Sequence, residues 1–388
     1  MRSFKIGSAF GIPIKLDLTF LLILPVFAYL IGSQISAQAD LIQSAFGVAL
    51  DTSALTAGTT PWLLGVVAAV GLFAGVVLHE LGHSLVAQHY GYPIDSITLW
   101  ILGGIANLTD TPEDWKQEFQ IAIAGPVVSI VIGVVCAAVL FVLPGDVAFA
   151  KFVVGYLALM NLVLAAFNLL PGFPMDGGRV LRALLARSRP YARATQIAAE
   201  VGKGFAVLLG ILGLLAWNLI FIGIAFFIYI GAASEAQQTM MSAVFEDVTV
   251  GDIMTPVTEL KTVSPSDSVA DLTERMFRER HTGYPVIENG EIVGMVTLGD
   301  AREVDPVERD AYTVEDIMSK DVKTIDKEEN AMTALERIQQ ESIGRLIVTN
   351  HHGELVGLIS RTDLMTAFDI IQSSGRQNDA PTARVKNA

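Results

Sequence analysis

The stretch VLHELGHSLVAQHY, residues 77–90, places His79, Glu80 and His83 at the end of an apolar run that starts near Trp62. On a helix, positions i and i+4 share a face, so both imidazoles can reach one metal ion. Glu80 then stands beside it, able to take a proton from a bound water. The bland reading is a chance match with satisfied core histidines. In lipid that reading leaves a glutamate unpaired between two histidines, at a cost of several kcal/mol, because ionisable groups at membrane depth need a partner, a cavity or a metal. A catalytic zinc also requires a third protein ligand and an open position. FNLLPGFPMDGGR, residues 167–179, supplies Asp176, its only acid, where two prolines and three glycines interrupt an apolar span. Irregular backbone there can line a cavity. The competing reading of Asp176 is a turn aspartate before Gly177-Gly178. His89 is six residues from His83, off its face, and reads as interfacial, while His281, His351 and His352 fall in a different part of the chain.

Membrane helices must position these groups. Of 388 residues, 52% are apolar and only 17% charged, and a span needs about 20 mostly apolar residues. Candidate spans are 16–35, 62–87, 119–143, 152–170, about 198–216 and about 218–233, the last two divided at Trp217-Asn218 because one helix of that length would need extreme tilt. Six spans put Arg2, Lys5, Lys15, Lys116, Arg179, Arg182, Arg187, Arg189, Arg193 and Lys203 on one side and only Lys151 on the other, with no lysine or arginine in 36–61. Positive charge marks the cytoplasmic side, so both termini are expected inside. The N-terminus superficially resembles a signal peptide, but its apolar stretch is too long and lacks a small-residue cleavage site, which suggests a retained first helix. Cys136 is the sole cysteine, which excludes an intrachain disulfide and a cysteine-rich metal site and reads as a small buried side chain.

Charge divides the chain in two. Residues 1–234 hold 11 basic and 12 acidic side chains, residues 235–388 hold 15 and 28. The acidic half argues against nucleic acid or anionic lipid as a partner, since both repel a negative surface. Acidity with only ten lysines also suits a saline cytosol. This half contains a repeat: VGDIMTPVTELKTVSPSDSVADLTERM at 250–276 returns as VEDIMSKDVKTIDKEENAMTALERI at 314–338, and IVGMVTLGD at 292–300 as LVGLISRTD at 355–363. A period of 63–64 residues suits two small α/β copies packed as a pair rather than a solenoid. Residues 372–388 carry no apolar pattern and are expected to be disordered.

HELGH within one span and N-x-x-P-x-x-P-x-D-G-G at the end of a later one resemble the site-2 protease family of intramembrane zinc metalloproteases, across residues 1–234. The resemblance implies His79, His83 and Asp176 as zinc ligands, Glu80 as general base or acid, and as substrate a transmembrane helix of a membrane-anchored regulatory protein. GYPIDSITLWILGGIANLTD, residues 91–110, fits the family's membrane-associated hairpin, where Gly103 and Gly104 would let backbone approach a substrate strand; an ordinary cytoplasmic loop is the alternative. One departure is Ser129, in AGPVVSI, where the family often has asparagine; the oxyanion role of that asparagine does not carry over, and Asn168 is the substitute candidate.

The repeats, at 248–304 and 310–368, resemble cystathionine-β-synthase (CBS) domains. Their G-x-x-T/S-x-x-D element occurs twice, as Gly294, Thr297, Asp300 and as Gly357, Ser360, Asp363. In that family the hydroxyl and carboxylate hold adenosine ligands, which implies gating by an adenine nucleotide (ATP, ADP or AMP); a purely structural or homodimerising pair is the alternative. The fold class expected is a polytopic α-helical membrane protein of about six transmembrane helices with a cytoplasmic tandem CBS module. Two functions compete: a zinc-dependent intramembrane protease, and a CBS-regulated channel or transporter whose histidines line an ion path.

Overall fold

The computed structural model describes residues 3–100, 103–108, 112 and 114–378. It divides into two compact units, Met1–Gln237 and Gln238–Ala388.

The first unit opens with strands β1 (Ser3–Ala9) and β2 (Ile12–Asp17), which pair antiparallel. Helix α1 (Leu18–Ser33) follows at once, its N-terminus capped by Asp17, whose carboxylate accepts from the Thr19 amide. Sixteen residues rise only about 24 Å, short of the ~30 Å hydrocarbon core, and α2 (Ile35–Phe46) then turns away by 73°. The straight first span expected at 16–35 is therefore a bent pair. Its second half takes residues expected in a loop, because Ile35, Ala39 and Ile42 bury against Phe152 and Tyr156. After the short α3 (Thr52–Leu55) comes α4 (Thr60–His89), 30 residues apolar on all sides, with Pro61 in its first turn where a missing N–H costs nothing. Gly65 lets the α1 backbone approach closely, since a Cβ there would strike the Ala28 carbonyl.

Strands β3 (Ile94–Trp100) and β4 (Gly103–Leu108) form the expected hairpin, joined by β1 and β2 into one sheet of order β1-β2-β3-β4. The N-terminal strands were not legible because Lys5, Lys15 and the flanking apolar residues read equally well as the approach to a helix. Helices α5 (Trp115–Val142), α6 (Ala148–Asn168), α8 (Tyr191–Leu215) and α9 (Leu219–Val244) complete, among the described residues, five helices long and apolar enough to cross a membrane, six if the bent pair counts as one span. The short α7 (Asp176–Ala186) sits between α6 and α8.

The second unit runs α10 (Val250–Ile253), β5 (Thr255–Pro256), α11 (Val269–Glu279), β6 (Gly283–Glu288), β7 (Glu291–Thr297) and α12 (Leu298–Glu303). It then repeats as α13 (Val314–Ile317), β8 (Thr324–Asp326), α14 (Ala331–Gln340), β9 (Arg345–Thr349), β10 (Leu355–Ser360) and α15 (Arg361–Asn378). The copies exchange their leading segments. β5 pairs with β10, and Ser319 bridges to Met295 of β7. Phe245 and Val250 fill the core of the second copy, while Val314 and Ile317 pack into the first. Helix α15 continues to Asn378, past residue 372 where disorder was expected, while 379–388 lie outside the described residues.

Candidate metal centre

His79 and His83 stand one turn apart near the end of α4, their rings edge to face at 4.9 Å between centroids. Asp176, the first residue of α7, brings Oδ2 to 3.1 Å from His79 Nε2 and 3.2 Å from His83 Nε2, and the two Nε2 atoms are 3.2 Å apart. The imidazoles are buried and the carboxylate nearly so. Each ring is held from behind by α5. Ser129 Oγ lies 2.9 Å from His79 Nδ1, and the Ile121 carbonyl accepts from His83 Nδ1 at 2.6 Å. A carbonyl only accepts, so His83 carries a proton on Nδ1, and as a neutral ring, the form a metal ligand takes, it turns the Nε2 lone pair toward Asp176 Oδ2, which is also an acceptor. Two facing acceptors favour a cation between them. Zinc fits this donor set: bonds of about 2.0–2.1 Å set tetrahedral ligands roughly 3.3–3.4 Å apart.

Glu80, half-buried, points to the neighbouring side of α4 and meets the sheet. A Cβ on Gly104 would lie 2.5 Å from Glu80 Cγ and 3.3 Å from its Oε1. The preceding Gly103 has φ +132°, a conformation that side chains oppose. Gly104 thus lies directly beside Glu80, whereas nothing stands within 4 Å of a Cβ on Gly103, whose glycine is accounted for by its backbone. On the other side, a Cβ on Gly125 of α5 would collide with His83 Nε2 and lie 2.7 Å from His79 Nε2.

The loop before Asp176 is equally tight. Phe173 is buried, Gly172 meets Gly202 of α8 backbone to backbone, and Gly177 and Gly178 press on the carbonyls of Leu169, Leu170 and Gly172. Asn168, at the end of α6, donates one Nδ2 hydrogen to the Leu164 carbonyl at 3.0 Å, which leaves the second hydrogen of that amide as the donor an oxyanion role would use. Ser129, met in the sequence only as a departure, is instead the partner of His79. Reading missed Ile121, which acts through its backbone, and Gly125, whose side is set by a helix packing that sequence does not display.

In the second unit, Thr297 and Asp300 form a capping box at the start of α12, with Asp300 Oδ2 accepting from both the Thr297 amide and hydroxyl at 2.7 Å. Ser360 and Asp363 repeat it at 2.8 and 2.7 Å. The same box, without the preceding glycine, opens α10 and α13. The glycines have a structural cause too: a Cβ on Gly294 would meet Met318 Sδ at 2.6 Å, and one on Gly357 would meet Met254 Sδ at 2.8 Å. The whole G-x-x-T/S-x-x-D element is therefore required by the exchanged segments and helix starts, and its presence alone does not call for a ligand. His281, His351 and His352 belong to this unit, and His351 bridges Asp326 and Glu328 at 3.1 and 2.8 Å.

An apolar helical bundle that closes His-Glu-x-x-His on a distant carboxylate defines a membrane zinc metalloprotease. Comparisons agree. Residues 67–153 and 145–209 match peptidase family M50, and 250–306 and 314–370 match the CBS domain. The chain is 35% identical over 373 residues to a zinc metalloprotease of Methanocaldococcus jannaschii, covering 96% of this chain and 97% of that protein. It is 28% identical over 159 residues to stage IV sporulation protein FB of Bacillus subtilis, covering 38% of this chain and 54% of that one. Among solved structures it is similar to a site-2 protease from M. jannaschii, at 37% identity and TM-score 0.43, over 61% of this chain and 95% of that one. The chain belongs to peptidase family M50, the site-2 proteases, and carries a tandem pair of CBS domains. The alternative of a channel with histidines along an ion path gives way to this assignment.

Proposed function

We propose that this multi-pass membrane enzyme hydrolyses a peptide bond within the transmembrane helix of a membrane-anchored regulatory protein, with His79, His83 and Asp176 holding zinc and Glu80 as general base and then acid. The observation that carries the reading is the convergence of three donor atoms within 3.2 Å, with Glu80 beside them under Gly104. Bound zinc supplies Lewis acidity, making water more acidic and polarising a carbonyl. Ile121 and Ser129 fix the imidazoles so that both Nε2 atoms stay directed at the ion. Glu80 removes a proton from water and returns it to the departing amine. In the sheet order β4 stands at an edge, which supports pairing of an extended substrate segment along it, past Glu80. A helical scissile bond has its carbonyl already hydrogen-bonded, so this pairing also provides the local unwinding that attack requires. The test is full-length enzyme in detergent with a single-span substrate and mass spectrometry of products. The proposal expects a cut within the apolar segment, abolished by chelation; a cut only outside it, or one indifferent to chelator, would contradict it.

The protease domain is assigned to 1–234 and the CBS copies to 248–304 and 310–368. Both termini are placed in the cytoplasm from the distribution of lysine and arginine. In a chain lacking Cys136, a cysteine at Ser53, exposed between α2 and α4, should label with an impermeant thiol reagent in intact cells, and one placed instead at exposed Ser266 of the second unit should stay protected; the reverse pattern would reverse the topology. The CBS pair is proposed to bind an adenine nucleotide and gate proteolysis. Asp300 and Asp363 each use only Oδ2 in their caps, which leaves Oδ1 for a ribose hydroxyl.

A further inference from the structure

We infer that Arg182 is a positioning residue for the metal centre: paired with Glu118 and stacked on Phe173, it sets where Asp176 stands relative to His79 and His83. Arg182 lies in α7, six residues after Asp176, and is buried. Its Nε donates to Glu118 Oε1 at 2.6 Å, its Nη2 reaches the same oxygen at 2.6 Å, and its Nη1 donates to Glu235 Oε1 at 2.6 Å. The guanidinium carbon lies 4.9 Å from the ring centre of Phe173 and 4.8 Å from that of Tyr191. One side chain therefore grips α5, α8, α9 and the loop that delivers Asp176.

The grip on α5 matters most. Glu118 lies three residues before Ile121, whose carbonyl holds His83, and on the same helix as Ser129, which holds His79. The Arg182–Glu118 pair thus ties the helix that carries the third donor to the helix that orients the other two. Nothing covalent nearer than 97 residues of chain relates Asp176 to His79, so their spacing depends on such cross-links. A role confined to stability fits the pair poorly. Glu118 Oε2 is buried with no hydrogen-bond partner, and well-packed apolar side chains often replace a buried ion pair without loss of stability. The planar fork suits a different task, holding two elements at a fixed angle and distance.

The inference rests on His79, His83 and Asp176 being the metal ligands, and its test separates the two. In full-length enzyme, zinc affinity by chelator competition and the visible spectrum of the cobalt-substituted protein are read beside the thermal midpoint in excess chelator. The double variant Glu118→Leu/Arg182→Met should keep the metal-free midpoint yet bind zinc about 10–100-fold more weakly, with altered cobalt bands, as loss of residues that orient ligands does. Arg182→Lys keeps the charge and loses the fork, and should weaken zinc about tenfold; it decides the matter should the double variant not fold. Wild-type zinc affinity and cobalt bands in either folded variant would overturn the positioning role. Wild-type zinc affinity in Asp176→Ala would instead overturn the ligand assignment on which it rests.

Discussion

Gly104 backs directly onto Glu80, so closely that a Cβ would lie 2.5 Å from Glu80 Cγ. No such crowding reaches the donor atoms of His79 or His83 from this side. Gly104→Ala should therefore displace the proton-transferring group and spare the metal. The expected result is zinc content near that of wild type with proteolysis down at least ~100-fold, the range for loss of a general base. Full activity in a folded Gly104→Ala enzyme would show that Glu80 tolerates displacement.

Gly125 tests the opposite face. A Cβ there would lie 2.6 Å from His83 Cε1 and 2.7 Å from His79 Nε2, against the two imidazoles, whereas alanine suits a helix better than glycine by roughly 1 kcal/mol. Gly125→Ala should keep helical content by circular dichroism and lose zinc. Retained stoichiometric zinc would contradict the arrangement of α5 against the imidazoles.

Much of this centre was legible from sequence because its chemistry is local. His79, Glu80 and His83 lie within five residues, and helical geometry converts that spacing into a shared face. Asp176 could be nominated because its neighbours break a span, yet its meeting with His79 is a tertiary event. Ser129 was legible only as a departure from the family pattern, because its contact with His79 depends on how α5 packs against α4, which apolar helices record only faintly. Glu118 and Arg182 were open to notice, as charges in or beside a span, but Arg182 was absorbed into the count of cytoplasmic positive charge. The exchange of segments between the CBS copies was hidden for a related reason: the repeat shows two equal copies, and both self-contained and exchanged packing satisfy the same pattern.

For nucleotide binding, the capping role of Asp300 and Asp363 dictates the variants. Alanine would remove the acceptor half of each capping box and confuse loss of a helix start with loss of contact. Asn keeps an oxygen acceptor and removes the charge. Calorimetry with ATP, ADP and AMP should show binding to wild type, weakened at least several-fold in Asp300→Asn or Asp363→Asn at an unchanged thermal midpoint. No binding of any of the three at millimolar concentration would leave the pair a structural module.

His351 predicts a pH dependence for the second unit. Its hydrogen bond to Glu328 and the nearby charges of Asp326 and Glu328 hold its pKa above the ordinary 6.5. A raised folded-state value means that the stabilisation is complete below the ordinary histidine pKa and is lost as pH rises through the shifted one. His351→Gln should therefore lower the thermal midpoint at about pH 6 and match wild type at about pH 9. A gap that widens with pH would contradict the assigned ion pairs.

The most direct measurement is zinc content beside proteolysis of a single-span substrate for Glu80→Gln. The isosteric amide leaves Ser129, Ile121 and Asp176 in their contacts with the imidazoles, so close to one zinc per chain should remain. Cleavage should fall at least ~100-fold, whereas His79→Ala, His83→Ala and Asp176→Ala should lose zinc and cleavage together. An active Glu80→Gln enzyme, or an Asp176→Ala enzyme with full zinc and full activity, would contradict the assignment of the site.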